Sequence, residues 1–211
     1  MAIVVNMPRL SDTMEEGTVA KLGIHCLILN HPKQPKMKYM EEMDYLVSND
    51  KRNNFIFNLV KSLKGNTLVL FQYVEKHGVV LYNMMQPQLK DRLHYVYGGT
   101  DAKDREEVRG LVESSNDGVI LASYGTFSTG INIRRINNIV FAAPSKSKIR
   151  VLQSIGRGLR THEDKDSIKL FDVVDDMRHG KWINFTLRHY GDRLKIYNDE
   201  QFEYRIHSYN L

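Results

Sequence analysis

The sequence predicts an α/β fold of three layers, a mostly parallel central sheet covered by helices on both faces, followed by a helical extension at the carboxyl terminus. Three observations predict it. Short apolar runs rich in Val, Ile, Leu and Phe alternate with stretches of helical spacing, the runs are too uniformly apolar to have one wet face, and glycine or hydroxyl residues follow the runs. At 211 residues the chain can bury a sizeable core, and its 42% hydrophobic and 26% charged content excludes a disordered or fibrous chain.

Thr67–Phe71 reads as a fully buried strand, and residues 73–85 after it have helical spacing, with Val74, Val80, Leu81 and Met84 available to the core. Residues 93–97 form a second strand that Gly98-Gly99 ends, and Thr100 can cap a helix running through Arg105, Val108 and Leu111 to Val112. Further strands fall at 119–122, 138–142 and 167–174, with a helix at 147–160 between the last two. Residues 182–200 carry Ile183, Leu187, Tyr190, Leu194 and Tyr197 at near-helical spacing, which predicts a helix packed on the sheet or on another domain. Arg188, His189, Arg193 and Lys195 are assigned to its other face, solvated or free to touch a polyanion. The expected division is 1–20 as an amino-terminal segment, 21–178 as the main domain and 179–211 as the extension.

Charge and cysteine usage narrow the function. The net charge of +5 is modest but suits a polyanionic partner. Cys26 is the sole cysteine and the eight histidines are scattered, so neither a disulfide nor a structural metal is expected. No run of eighteen apolar residues occurs and no secretory leader is evident, which predicts a cytoplasmic protein without a membrane span.

The most informative stretch is Gln153-Ser154-Ile155-Gly156-Arg157-Gly158-Leu159-Arg160. On a helix, Gln153, Arg157 and Arg160 fall at i, i+4 and i+7 and share one face. Two fixed cations there suit the charge that spreads over a phosphoryl group in transfer, an arrangement worth roughly a thousandfold or more in rate. Ahead of it, three strand exits carry Phe71-Gln72-Tyr73, then Gly98-Gly99-Thr100 with Arg105 one turn later, then residues 123–132 with Ser128, Thr129, Gly130 and Asn132. Glycines admit close backbone approach, and hydroxyls with free N–H groups suit phosphate oxygens.

This ordered set resembles motifs IV, IVa, V and VI of superfamily two helicases, in particular the carboxyl-terminal half of UvsW-type phage recombination and repair DNA helicases. The likeness runs over residues 20–211. It includes Ser48 to Asn53 and the strand end Asp172-Val173-Val174-Asp175-Asp176. The resemblance implies a second RecA-like motor domain. By it, Arg157 and Arg160 reach across a cleft to the γ-phosphate of ATP held with Mg2+ mainly by the amino-terminal motor domain of the same protein, and Gln153 orients the nucleotide or the attacking water. Gly130, Asn132 and Gly156 fall to the nucleotide. Asn132 stands where many relatives have aspartate, which departs from a charged ribose contact. Gln72, Gly99, Thr100, Arg105, Ser128 and Thr129 fall to the DNA, branched or at duplex/single-strand junctions. Lys146, Lys148 and Arg150 fit either an extension of that surface or a solvated approach to the helix.

No GxxxxGK[ST] phosphate loop and no DExH or DExD run occurs in the chain. The chain alone is therefore expected to be inactive, one half of a two-domain motor that works in the host cytoplasm if phage-encoded. The alternative is a nucleic-acid-binding or interaction domain that keeps the helicase fold without its chemistry. Residues 7–20 resemble the opening strands of lipoyl domains, but the Asp-Lys-Ala hairpin with the modified lysine does not follow. That segment is read as a linker or fusion remnant.

Overall fold

The structure, a computed structural model, describes residues 21–126, 133, 135–143 and 167–211. Its strands are β1 (Lys21–Asn30), β2 (Thr67–Phe71), β3 (Leu93–Val96), β4 (Val119–Ser123), β5 (Asn138–Phe141), β6 (Ser167–Asp176) and β7 (Tyr204–Asn210). They form one sheet in the order β3-β4-β2-β5-β6-β1-β7, every neighbouring pair parallel. The helices are α1 (Tyr39–Ser48), α2 (Asp50–Ser62), α3 (Val79–Leu89), α4 (Ala102–Ser114) and α5 (Phe185–Asp199).

The three layers follow from the alternation of side chains along each strand. On β2, Leu68 and Leu70 join a core with Ile120 and Ala122 of β4, Val112 of α4 and Tyr190 and Tyr197 of α5. Val69 and Phe71 point the other way, into a core with Ile56 and Val60 of α2 and Leu81 and Met85 of α3. Both faces are covered, which is why every residue of β2, β4 and β5 is buried and apolar content is almost continuous there.

Four departures from the sequence expectation have physical reasons. First, β1 was not anticipated. Leu22, Ile24, Cys26 and Ile28 face one core and Leu27 and Leu29 the other, an alternation that Gly23 and His25 dilute. Second, the helix expected from residue 73 begins as a π-helical turn, Val74–Gly78, in which Gly78 N–H donates to Tyr73 O at 2.9 Å. A Cβ on Gly78 would lie 2.5 Å from Tyr95 Oη and 2.6 Å from the Phe71 ring, so glycine is what lets this turn sit on the strands. The wider turn shifts the phase: Val80 is exposed and Leu81, Met85 and Leu89 take the core positions.

Third, the carboxyl-terminal extension is not helical throughout. After α5 the chain turns at Gln201 (φ 56°) and adds β7 to the outer edge of β1, where His25 Nδ1 and His207 Nε2 stand 3.1 Å apart. Fourth, Arg193 lies on the buried face of α5, between Tyr190 and Tyr197, and forms a two-pronged ion pair with Asp172 of β6 (Nε to Oδ2 and Nη2 to Oδ1, both 2.8 Å). Tyr197 Oη donates to the same carboxylate at 2.9 Å. Arg193 is therefore neither solvated nor open to DNA, whereas Arg188 and Lys195 are exposed.

The extension is tied to the domain by Glu42 of α1. Its buried carboxylate accepts from Phe185 N–H (2.8 Å) and Thr186 N–H (2.7 Å), satisfying the first free donors of α5 and placing negative charge at that helix's positive end. Asn184 adds bonds to Asp175 O and from Met177 N–H.

Candidate functional site

Because every strand runs the same way, all seven carboxyl ends share one edge, the place where ligands bind in open α/β sheets. The expected strand exits are gathered there. After β2 comes Gln72, exposed. After β3, Gly98 and Gly99 form an exposed turn that Thr100 closes: its hydroxyl accepts from Tyr97 N–H at 3.0 Å and its N–H donates to Tyr97 O at 2.9 Å. Thr100 thus braces the turn, and Asp101 rather than Thr100 is the cap residue of α4. Arg105 lies one turn into α4, half-buried, with its Nε buried and without a partner among the described residues.

After β4, Ser123 and Thr126 share a hydroxyl–hydroxyl bond of 2.8 Å, and Tyr124 Oη donates to Ala143 O at 2.9 Å. These bonds fasten the root of the loop at 123–132 to the exit of β5. Ser128, Thr129, Gly130 and Asn132 lie outside the described residues, as do Lys146, Lys148, Arg150, Gln153, Gly156, Arg157 and Arg160 and the helix expected at 147–160.

A buried charged cluster at the same edge was not expected. Arg52 of α2 donates through Nε to Asp175 Oδ1 (2.8 Å) at the end of β6 and through Nη2 to Ala142 O (2.8 Å) at the exit of β5. His31, just after β1, joins the same carboxylate oxygen through Nε2 at 2.9 Å. Burial alone would raise the Asp175 carboxyl, yet the Arg52 guanidinium and His31 hold it well below the usual carboxylate range. His77 of the π-helical turn is fully buried nearby, and burial, with Arg52 adding to it, pushes its imidazole down to about 3. Arg52 Nη1, Asp175 Oδ2 and both His77 ring nitrogens are buried without a partner among the described residues. The sequence offered one signal for this cluster, an Asp-Val-Val-Asp run inside a strand that must be buried on both faces.

A seven-stranded parallel sheet with helices on both faces and all its strand exits at one edge is a RecA-like helicase domain in class. Residues 50–162 match the helicase conserved C-terminal domain, and the chain belongs to that family. It is 34% identical over 219 residues to the ATP-dependent DNA helicase uvsW of Enterobacteria phage T4, covering 95% of this chain and 43% of that protein. A putative ATP-dependent helicase, IRC3 of Saccharomyces cerevisiae, is 29% identical over 115 residues, 54% of this chain and 16% of the relative. The crystal structure of T4 UvsW superposes with a TM-score of 0.76 at 32% identity, over 92% of this chain and 42% of that one. The C-terminal domain of the DEAD-box protein Dbp5, at 12% identity and TM-score 0.59 over 90% of each chain, shares the fold. The chain spans less than half the length of the phage relative. Among the described residues no helix is long and apolar enough to cross a membrane.

Proposed function

We propose that the chain acts as the second motor domain of an ATP-dependent DNA helicase or translocase that processes branched DNA in recombination and repair. The observation that carries this reading is the parallel register: it brings the exits of β2, β3, β4 and β5, which lead into the four motif segments, to one edge of one sheet. Support also comes from the likeness to the phage helicase, which extends over nearly the whole chain.

In this reading ATP and Mg2+ are held mainly by the amino-terminal motor domain of the same protein. No group of three or more His, Cys, Asp or Glu among the described residues suits a metal ion, and no step is assigned to one on this chain. Arg157 and Arg160 stabilise the charge that develops on the transferred phosphoryl group, with Gln153 orienting the nucleotide or water. Gly130, Asn132 and Gly156 approach the nucleotide. Gln72, Gly99, Thr100, Arg105, Ser128 and Thr129 contact the DNA backbone without reading sequence.

The test is steady-state ATP hydrolysis by the two-domain protein. Arg157→Ala or Arg160→Ala should lower kcat by about a thousandfold while most DNA affinity persists, and the 211-residue chain alone should turn ATP over at background rate. Unchanged turnover in both variants overturns the arginine-finger assignment.

A further inference from the structure

The segment joining β1 to α1, His31-Pro32-Lys33-Gln34-Pro35-Lys36-Met37-Lys38, holds three exposed lysines and no acidic residue. It lies at the carboxyl edge, and both its ends are fixed. His31 N–H donates to Asp176 O at 2.9 Å and its ring is bound to Asp175, while Lys38 N–H donates to Glu41 Oε2 at 2.8 Å, which turns the nearest exposed carboxylate to a backbone partner. Pro32 and Pro35 further restrict the backbone, so the lysines are presented at low entropic cost.

Beside this loop lies an aromatic surface. Tyr39, 36% exposed, meets Phe185 edge-on at 5.8 Å and His189 at 5.7 Å, and the exposed Arg188 sits 5.6 Å from the Phe185 ring centre. The helix that Tyr39 opens is joined to the π-helical turn that follows Gln72 and Tyr73, where Lys76 Nζ donates to Asp44 Oδ1 at 2.7 Å. The patch is therefore continuous with the exit of β2. The other charged flank differs: around Arg105, α4 mixes Lys103 and Arg109 with Asp104, Glu106 and Glu107. Lysines in series beside an exposed aromatic ring match what a single strand of nucleic acid offers, a phosphate row with bases on one side.

We infer that the β1–α1 loop and the start of α5 form a second contact surface for single-stranded nucleic acid, with Lys33, Lys36 and Lys38 on phosphates and Tyr39 stacking on a base. This rests on the nucleic-acid reading proposed above and extends it to residues outside the helicase motifs.

The test is fluorescence anisotropy of a labelled sixteen-residue oligothymidylate titrated with the whole chain over a range of salt. Lys33→Glu with Lys36→Glu should raise Kd at least tenfold and flatten the logarithmic salt slope by about 1.4, roughly 0.7 for each lost phosphate contact on a single strand. Tyr39→Leu should raise Kd roughly tenfold with the salt slope unchanged, as loss of stacking requires. Emission of Trp182, the sole tryptophan, reports that each variant is folded. If the parent chain binds and Arg105→Ala weakens it, yet these variants match the parent in Kd and slope, the second surface is overturned and the nucleic-acid reading stands. If the parent chain fails to bind the oligonucleotide, both fall. Equal displacement by polyglutamate of the same length also overturns the inference, because it marks a general polyanion patch.

Discussion

The two ends of the parallel sheet are finished in opposite ways. At the amino ends, Asn66 uses its whole amide: Nδ2 donates to Val112 O and Ser115 O, and Oδ1 accepts from Gly118 N–H. Its own N–H donates to Asn137 Oδ1, and Asn138 Nδ2 reaches Lys64 O and Thr67 Oγ1. At the carboxyl ends, Arg52, Asp175 and His77 keep buried polar atoms that no described residue satisfies. Such atoms are costly, and a fold tolerates them where something other than stability is selected. The contrast fits the proposed function, in which the amino end is scaffold and the carboxyl end is the working face.

The comparison can be broken most forcefully at Arg52. Arg52→Met leaves the Asp175 carboxylate buried with only His31, and should cost about 3–5 kcal/mol of unfolding free energy in urea titrations. A loss below about 1 kcal/mol would show that the buried pair does not hold the carboxyl edge together. Asn66→Ala strands Ser115 O and Gly118 N–H and leaves Val112 O with Ser115 N–H alone, and should cost about 2 kcal/mol in the same assay. Oligothymidylate affinity should stay at the parent value in that variant if it folds, because Asn66 belongs to the scaffold end.

Acid sharpens the same contrast. The His77 imidazole titrates near 3 when folded and near 6.5 when unfolded, so the unfolded chain binds the extra proton between those values and stability falls as pH drops below 6.5. Each pH unit in that window should cost about 1.4 kcal/mol from this residue. Urea midpoints of His77→Leu should be correspondingly flatter with pH than those of the parent; equal slopes would remove His77 as the cause. Asp175 acts lower: with its folded value depressed, its contribution is full above the usual carboxylate value and is lost only as pH falls further. The smallest effect is expected at the cap of the extension, where Glu42→Ala should cost about 1 kcal/mol and raise amide exchange at Phe185 and Thr186 before anywhere else.

The legible part of this fold follows from which elements are buried on both faces. The observed β2, β4, β5 and β6 begin where the sequence predicts and end within two residues of it, because a doubly covered parallel strand is a nearly unbroken apolar run. The edge strand β7 carries Arg205, His207, Ser208 and Asn210 and has no such run, so it reads as polar tail. The π-helical turn depends on Gly78 meeting Phe71 and Tyr95, contacts that no local pattern announces. That Gln72, Gly99, Thr100 and Arg105 would lie at the carboxyl edge was legible because strand exits can be counted along the chain. Arg52 and Asp175 were not, being 123 residues apart, and Arg193 read as surface because its partner Asp172 belongs to a different element.

The most direct test of a single working face is hydrogen–deuterium exchange of the whole chain with and without a saturating single-stranded oligonucleotide. Protection should appear at the exits of β2 and β3, around Gln72 and Gly98 to Arg105, and at the β1–α1 loop, with no change at Asn66, Gly118, Asn137 and Asn138. Protection centred on those asparagines, or spread evenly over both ends of the sheet, would contradict the account.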